Sequence, residues 1–198
     1  NSQHVSYLWQ QFAMQLRAAH PNGPIGMSQT AWGGTPIRRH VQGGDIYANH
    51  IAPLEGFHVA GVLWYQGCND STNEATALAY ESQMTLLINQ YREVFDQDDL
   101  PFLYVQLARW PGYQYTQNVR FAQLNTLSNA GLRNASNVAM TVSLDTDKGT
   151  STLIHPLGKD ILGARMAAQY LAMSEGKTIP NGPLLAHAKH ASDGTIVF

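Results

Sequence analysis

The stretch "GVLWYQGCND", residues Gly61 to Asp70, joins an apolar run directly to a group of polar and reactive side chains. Residues 59–65 carry apolar side chains on both faces, which is typical of a strand buried on both sides of a parallel sheet. Ligands of open parallel sheets bind beyond the carboxyl ends of the strands. The stretch therefore predicts a parallel sheet, and it predicts that the residues after Tyr65 lie at a functional edge.

Helices and strands alternate along the rest of the chain. Leu8, Phe12 and Leu16 recur at helical spacing and predict an amphipathic helix over residues 5–19. Apolar runs separated by helical patterns predict an α/β fold with an open, doubly wound parallel sheet covered on both faces. The other predicted strands are residues 25–30, 101–108 and 138–144, and the other predicted helices are residues 47–57, 73–95, 116–130 and 157–174. The residues predicted to line the inner side of the 73–95 helix are Leu78, Met84, Leu87, Tyr91 and Phe95.

The composition excludes several classes of protein. The chain has 198 residues, 44% of them hydrophobic and 13% charged, which suits one globular domain with a sizeable core. Lysine and arginine are scattered and the formal net charge is −2, so we expect neither nucleic acid nor an anionic membrane as a partner. No apolar run approaches the roughly 20 residues of a membrane helix. The single cysteine allows no internal disulfide.

We expect the chain to have two parts. Residues 1–178 contain the α/β pattern, whereas residues 179–198 alternate apolar and polar positions around a Ser-Asp-Gly turn. That alternation predicts a β-hairpin, which either begins an accessory β-domain or returns a strand to the core. Asn1 is not an initiator methionine and a helical pattern starts within a few residues, so we also expect the chain to begin inside a longer protein.

Two loops after predicted strands contain candidate hydrogen-bond donors. Gly33 and Gly34 have backbone N–H groups that can approach a ligand and stabilise an oxyanion, although a bare Gly-Gly pair is more often simply a tight turn. Gln66 and Asn69 are possible amide donors near the same point. The alternative for the second loop is an Asx-turn, with Asp70 or Ser71 as the N-cap of the following helix.

His155 is the most informative histidine. It lies in a loop between a predicted strand and a predicted helix, next to Pro156, in the position expected of a general base. His187 and His190 have no third ligand nearby, so we predict no metal site. Cys68 has no evident partner in the sequence, and a lone cysteine is more typical of a small buried residue than of a nucleophile.

Five blocks of sequence, taken in order, resemble one family. These blocks are "PIGMSQTAWGGTPI", "IYANHIAPL", "GVLWYQGCND", "PFLYVQLA" and "HPLGK". Their order and spacing, from about Ser6 to the C-terminus, resemble the sialate O-acetylesterase family, which belongs to the SGNH hydrolase superfamily and includes related carbohydrate acetylesterases. The resemblance implies a three-layer, flavodoxin-like α/β fold followed by β-rich structure. It also implies hydrolysis of acetyl esters on carbohydrates, without a metal or other cofactor.

The resemblance assigns roles to matching positions. It implies that Gly33 or Gly34 supplies a backbone oxyanion donor, and that Asn69 supplies a side-chain donor. Gln66 and Gly67 match the block Gln-Gly-Glu-Ser-Asn that follows the strand in the family, and "GCND" matches the wider superfamily pattern Gly-x-Asn-Asp. The "HP" of "HPLGK" makes His155 the implied general base.

The chain departs from the family in two places. Nothing matches the Gly-Gln-Ser-Asn-Met block of the nucleophile, so we expect the serine on an N-terminal segment that these 198 residues lack. One alternative is a carbohydrate-binding pseudoenzyme that retains the aromatic residues Trp32, Trp64, Trp110 and Tyr113 but has no esterase activity. Another alternative is a hydrolase that uses Cys68 as its nucleophile.

The second departure concerns the acid that orients the histidine. The family usually has an aspartate two or three residues before this histidine, where the present chain has Leu153 and Thr152. Asp145, Asp147 or a backbone carbonyl could hold the His155 ring instead.

Overall fold

A three-stranded parallel sheet forms the centre of the molecule. The computed structural model describes residues 6–148, 154–182, 184 and 189–197; Thr152, Leu153 and His187 lie outside these residues. The strands pair in the order β1-β2-β3, with Val62 opposite Phe102 and Phe102 opposite Val138. All residues of the second and third strands are buried. The three strands are β1 (Val62–Trp64), β2 (Phe102–Val105) and β3 (Val138–Thr141).

Two pairs of helices cover the two faces of this sheet. One face packs against α2 (Glu74–Val94) and α3 (Thr116–Thr126), and the other packs against α1 (Tyr7–Ala19) and α4 (Lys159–Ser174). Side chains of β2 alternate between the two layers, because successive strand residues point to opposite faces. Phe102 and Tyr104 join the α2 side and Leu103 and Val105 join the α1 side. The predicted three-layer α/β fold with a parallel sheet is confirmed.

Helix α2 starts immediately after the polar loop that follows β1. Its N-cap is Asn73, whose side chain accepts hydrogen bonds from the backbone N–H groups of Ala75 and Thr76, so the alternative with Asp70 or Ser71 as the cap was wrong. The prediction that Leu78 faces inward was also wrong, because its side chain is 66% exposed. The helical period puts Ala77 on the core stripe and turns the adjacent residue about 100° away from it. The other predicted inner residues, Met84, Leu87, Tyr91 and Phe95, are buried.

Residues 24–32 contradict the prediction of a strand at residues 25–30. They have no regular secondary structure, and Ile25 and Met27 are exposed. Within the described part of the chain, no backbone hydrogen bond joins them to β1, which forms an edge of the sheet. A cavity of about 650 Å³ lies between this segment and residues 58–66. A strand requires a neighbouring backbone for its ladder of hydrogen bonds, and the cavity separates this segment from the nearest strand edge.

The remaining elements are short. Where one helix was predicted over residues 47–57, a π-helical turn at Tyr47–Ile51 continues into a 3-10 turn at Ala52–Leu54. Near the C-terminus, β4 (Lys189–His190) pairs antiparallel with β5 (Ile196–Val197). The assignment of residues 179–198 to an accessory β-domain stays a prediction. None of the described helices combines the length and apolar character that crossing a membrane requires.

Candidate active site

Residues 32–35, which we call the glycine turn, lie beside the carboxyl end of β1. Gly34 has a φ of +72°, a conformation that favours glycine, so the turn itself accounts for this residue. A Cβ atom placed on Gly33 or Gly34 would meet nothing within 4 Å, so their backbone faces open space. The same pair is therefore a tight turn and an accessible stretch of backbone.

Three side chains from the loop after β1 hold the region of the glycine turn. Asn69 Nδ2 donates to the Gly34 carbonyl at 3.1 Å, although the two residues are 35 positions apart in the sequence. Gln66 Nε2 donates to the Thr35 carbonyl at 2.9 Å, and the Asp70 carboxylate accepts from the Ile37 N–H at 3.0 Å. These bonds fix the turn and the polar loop as one unit, which we call the rim.

Gln66 uses its whole amide within the protein. Besides the bond to Thr35, its Nε2 donates to Asp70 Oδ2 at 2.6 Å, and its Oε1 accepts from the Tyr80 hydroxyl at 3.0 Å. Burial raises the pKa of the Asp70 carboxyl, and the hydrogen bonds from Gln66 and Ile37 act in the opposite direction. Gln66 therefore stabilises the rim through hydrogen bonds within the protein.

Gly67 is required for steric reasons. Its φ is +131°, and a Cβ atom at this position would lie 3.0 Å from Val119 Cγ1 and 3.2 Å from the Tyr80 hydroxyl oxygen. No larger residue fits between the rim and α3 without displacing one of them. The role of this glycine in the structure is thus to let the chain turn away from β1.

His155 is exposed, whereas its sequence neighbours Ile154 and Pro156 are half-buried and buried. Ile154 lines a small cleft together with Cys68 and Trp110. Lys159 Nζ lies 4.6 Å from the centroid of the Tyr65 ring. The segment that contains His155 therefore lies at the same edge of the sheet as the rim.

The loop after β3 also contacts this segment. The Gly158 N–H donates to the Thr146 carbonyl at 2.7 Å. The aspartates on either side of Thr146 form ion pairs: Asp145 binds Arg165 through both carboxylate oxygens, at 2.8 and 2.6 Å, and Asp147 Oδ2 accepts from Arg109 at 2.6 Å. The bonds from Arg165 lower the pKa of Asp145. Both candidate acids therefore lie in a loop that packs against residues close to His155.

The family can be identified from most of the chain. A sequence profile of the family "carbohydrate esterase, sialic acid-specific acetylesterase" matches residues 6–172. The chain belongs to this carbohydrate esterase family. The suspected resemblance is thus confirmed at the level of the family.

Similar proteins come from a plant and a bacterium. The chain is 32% identical over 117 residues to a probable carbohydrate esterase from Arabidopsis thaliana, which covers 57% of this chain and 44% of that protein. The crystal structure of a carbohydrate acetylesterase from Xanthomonas citri superposes with a TM-score of 0.81 at 28% identity, covering 96% of this chain and 46% of that one. An X-ray structure of an Arabidopsis thaliana protein gives a TM-score of 0.68 at 27% identity, with 81% and 66% covered. The chain spans less than half the length of the first two of these relatives.

The protonation state of the Cys68 thiol does not suit a nucleophile. Burial raises the pKa of Cys68, and the nearby ammonium of Lys159 opposes that shift only in part. A thiol with a raised pKa is protonated at neutral pH, whereas the thiolate is the reactive form. The raised pKa of the thiol therefore disfavours the cysteine hydrolase alternative.

The aromatic residues named for the binding alternative have different positions. Trp64 is buried and packs against Tyr91 and Phe102, so it belongs to the core. Trp32 is 57% exposed, and the Arg39 guanidinium lies 5.7 Å from its ring centroid. Trp110 and Tyr113 form an edge-to-face pair at 6.2 Å in the loop after β2.

His40 is a buried residue of the site that the sequence analysis missed. Its side chain is 4% exposed, and Nε2 lies 2.8 Å from the hydroxyl oxygen of Thr35. Burial lowers the pKa of His40 to about 4, so the imidazole is neutral at neutral pH. The spacing of the apolar residues Ile37 and Val41 around it, one turn apart, is the signal that could have placed this histidine on an inner face.

Proposed function

We propose that this protein hydrolyses acetyl esters on carbohydrates by a serine esterase mechanism, with O-acetylated sialic acids as the first substrate class to test. The contact between the Asn69 amide and the Gly34 carbonyl carries the proposal, because it joins the two predicted groups of oxyanion donors. Membership of the carbohydrate esterase family and the similarity to the Xanthomonas citri acetylesterase support it.

In the first step, the serine oxygen attacks the acetyl carbonyl carbon and the electrons of the C=O bond move to its oxygen. An amide nitrogen has two N–H groups, so Asn69 can donate one to Gly34 and the other to the developing oxyanion. The backbone N–H of Gly33 or Gly34 supplies the second donor. Open space next to both glycines is what such an approach requires.

His155 acts as the base and then as the acid. It takes the proton of the attacking serine and gives it to the ester oxygen of the sugar as the acyl carbon–oxygen bond breaks, so that the sugar leaves with a free hydroxyl. Water then attacks the acetyl-enzyme, His155 takes a proton from that water, and acetate leaves as the serine recovers its proton. An exposed histidine at the edge of the sheet can reach both substrate and water.

We propose Asp147 as the acid that orients the His155 ring. Both oxygens of Asp145 bind the guanidinium of Arg165 in α4, and the Asp145 side chain is 61% exposed to water. Asp147 also pairs with an arginine, Arg109, but its side chain is only 13% exposed, so water competes less for a hydrogen bond between this carboxylate and the ring.

The nucleophilic serine, we propose, lies on an extended segment outside residues 6–197. Ser71 and Ser143, which are close to the rim, are buried and donate to the carbonyls of Gly67 and Gln106. The cavity of about 650 Å³ lies along the edge of β1 and reaches Trp32 and Gln66 at the rim. A strand lying there parallel to β1 would pair with that edge and would end beside the glycine turn.

The test is acetate release by the full-length protein from O-acetylated sialic acid and from acetylated xylan, combined with labelling by a fluorophosphonate. Acetate release together with labelling of a serine supports the proposal. Binding of the acetylated sugar without release or labelling would overturn it and favour the pseudoenzyme. Inactivation by iodoacetamide that substrate prevents would identify Cys68 as the nucleophile instead.

A further inference from the structure

We infer that His40 is a positioning residue for the glycine turn and that it acts through the hydroxyl of Thr35. The catalytic consequence of this inference rests on the proposed function, but the contact itself does not. His40 does not take part in the chemistry; it determines where the backbone donors of Gly33 and Gly34 lie.

The direction of the hydrogen bonds follows from the chemistry of a hydroxyl group. The Thr35 hydroxyl donates its only hydrogen to the Trp32 carbonyl at 2.7 Å. Its contact with His40 Nε2 at 2.8 Å must therefore be accepted from an imidazole N–H. This requires the tautomer of His40 that carries its proton on Nε2. The chain of bonds links the last residue of the glycine turn to the first and closes the turn around Gly33 and Gly34.

Packing fixes the ring that donates this bond. The His40 ring stands edge-on to Trp64, the last residue of β1, with the ring centroids 5.1 Å apart and the planes at 90°. The side chains of His40 and Thr35 are each 4% exposed, so water does not readily replace the bond between them. The contact between the His40 and Trp64 rings thus fixes the position of the glycine turn relative to the end of β1.

His40 is neutral because desolvation outweighs the effects of the charged groups around it. Arg39, Asp45 and His50 are the charged or titratable groups that act on it. Arg39 and Asp45 pair with each other at 2.6 Å, so their effects on His40 oppose one another. Desolvation is the largest effect and it favours the uncharged ring. A neutral ring has one donor and one acceptor, which suits the single bond to Thr35.

His40 complements the three bonds from the loop after β1. Gln66 and Asn69 hold the turn through backbone carbonyls, and Asp70 holds the residue after Pro36. Among the hydrogen bonds described for residues 32–35, only the one from His40 comes from outside the turn to a side chain of the turn; the other contacts of this kind are those of the Trp32 ring with Arg39 and His50. Without the hydrogen bond from His40, we expect the Trp32 carbonyl and the peptide group that follows it to sample several orientations.

The experiment compares matched variants of the full-length protein. His40→Gln keeps an N–H near the position of Nε2, whereas His40→Phe keeps a ring against Trp64 but has no donor. Thr35→Ser keeps the hydroxyl and Thr35→Val removes it. We expect kcat for acetate release to fall about tenfold in His40→Phe and Thr35→Val with KM within twofold, and to recover most of its value in His40→Gln and Thr35→Ser. That loss is smaller than the 10²–10³ typical of deleting an oxyanion donor, because the donors are displaced and not removed.

A second measurement separates this inference from the proposed function. Nitrogen-15 NMR should find His40 in the Nε2–H tautomer, and the order parameters of Gly33 and Gly34 should fall in His40→Phe and Thr35→Val but not in the conservative variants. This outcome supports the inference even if no substrate is hydrolysed, which would count against the proposed function alone. Equal kcat in His40→Phe and His40→Gln, an Nδ1–H tautomer, or unchanged order parameters in both donor-less variants would overturn it.

Discussion

The glycine turn and the segment immediately before it differ in how their conformation is fixed. Both follow α1, and each contains apolar residues and glycine. Residues 32–37 are tied by side chains to the loop after β1, whereas residues 24–31 have no regular structure and lie across a cavity from the edge of the sheet. Local side-chain hydrogen bonds are enough to define a turn, but a strand acquires its conformation from a neighbouring backbone.

The difference is visible in two isoleucines that are 12 positions apart. Ile37 is 1% exposed and Ile25 is 38% exposed. Ile37→Ala should therefore lower the free energy of unfolding by about 2–5 kcal/mol, the range for truncation of a buried aliphatic side chain. Chemical denaturation of the 198-residue chain measures this change.

Ile25→Ala is the matched control for that substitution. In the 198-residue chain it should change the free energy of unfolding by no more than about 0.5 kcal/mol. In the full-length protein it should cost about 1 kcal/mol or more, because the proposed extended segment would cover this side chain. Equal costs for the two isoleucines in the 198-residue chain would remove the contrast between the two regions.

Asn69→Ala tests whether the rim acts in catalysis as well as in structure. Removal of the side-chain donor should lower kcat in the full-length protein by about 10²–10³. The lost bond to Gly34 is on an exposed side chain, so the melting temperature should fall by only a few degrees. Thr72→Ala, which removes a hydroxyl bonded to the Asn69 carbonyl, is the control and should leave kcat within a few fold of the parent.

His40 makes the free energy of unfolding of the protein dependent on pH. The pKa of His40 is lowered from 6.5 to about 4 in the folded protein, so below pH 6.5 the unfolded chain binds more protons than the folded chain. The free energy of unfolding should fall as the pH decreases from about 6.5 to about 4, by about 3 kcal/mol from this residue. His40→Gln should remove that part of the slope, as denaturation curves across this range would reveal. Parallel pH profiles for the two proteins would contradict the assignment.

Substitution of the two aspartates after β3 is expected to have the smallest effect on kcat. Asp147→Asn should lower kcat at least tenfold if Asp147 orients the His155 ring, because an amide holds the imidazole less well in the required tautomer. Asp145→Asn, which weakens the bonds to Arg165, should leave kcat within a few fold of the parent. If the two substitutions had the reverse order of effect, Asp145 would be the orienting residue.

The sequence predicted those features that depend on local periodicity and on the topology of parallel sheets. The buried strands, the long helix beginning near Asn73 and the position of the polar loop after Tyr65 all follow from the spacing of apolar residues. The rule that ligands of parallel sheets bind beyond the carboxyl ends of the strands predicted that these loops share one edge, and the rim and the segment of His155 do lie at the same edge. The function of this edge stays a prediction.

The features that escaped prediction depend on tertiary neighbours. Residues 25–30 have the composition of a strand, but no neighbouring backbone bonds to them within the described part of the chain. The burial of His40 depends on packing against Trp64, which is 24 positions away and not apparent from either residue alone. The hydrogen bonds of the Gln66 amide with Thr35, Asp70 and Tyr80 also join residues that are up to 31 positions apart, and the sequence gives no sign of these pairs.

The account depends most on His155 as the proton-transfer group at the edge of the sheet where the rim lies, and acetate release by His155→Ala in the full-length protein tests this directly. We predict a loss of kcat of at least about 10³, with the melting temperature unchanged because the side chain is exposed. His20→Ala, which alters another exposed histidine at the end of α1, should keep full activity. Hydrolysis by His155→Ala at a rate close to that of His20→Ala would contradict the account.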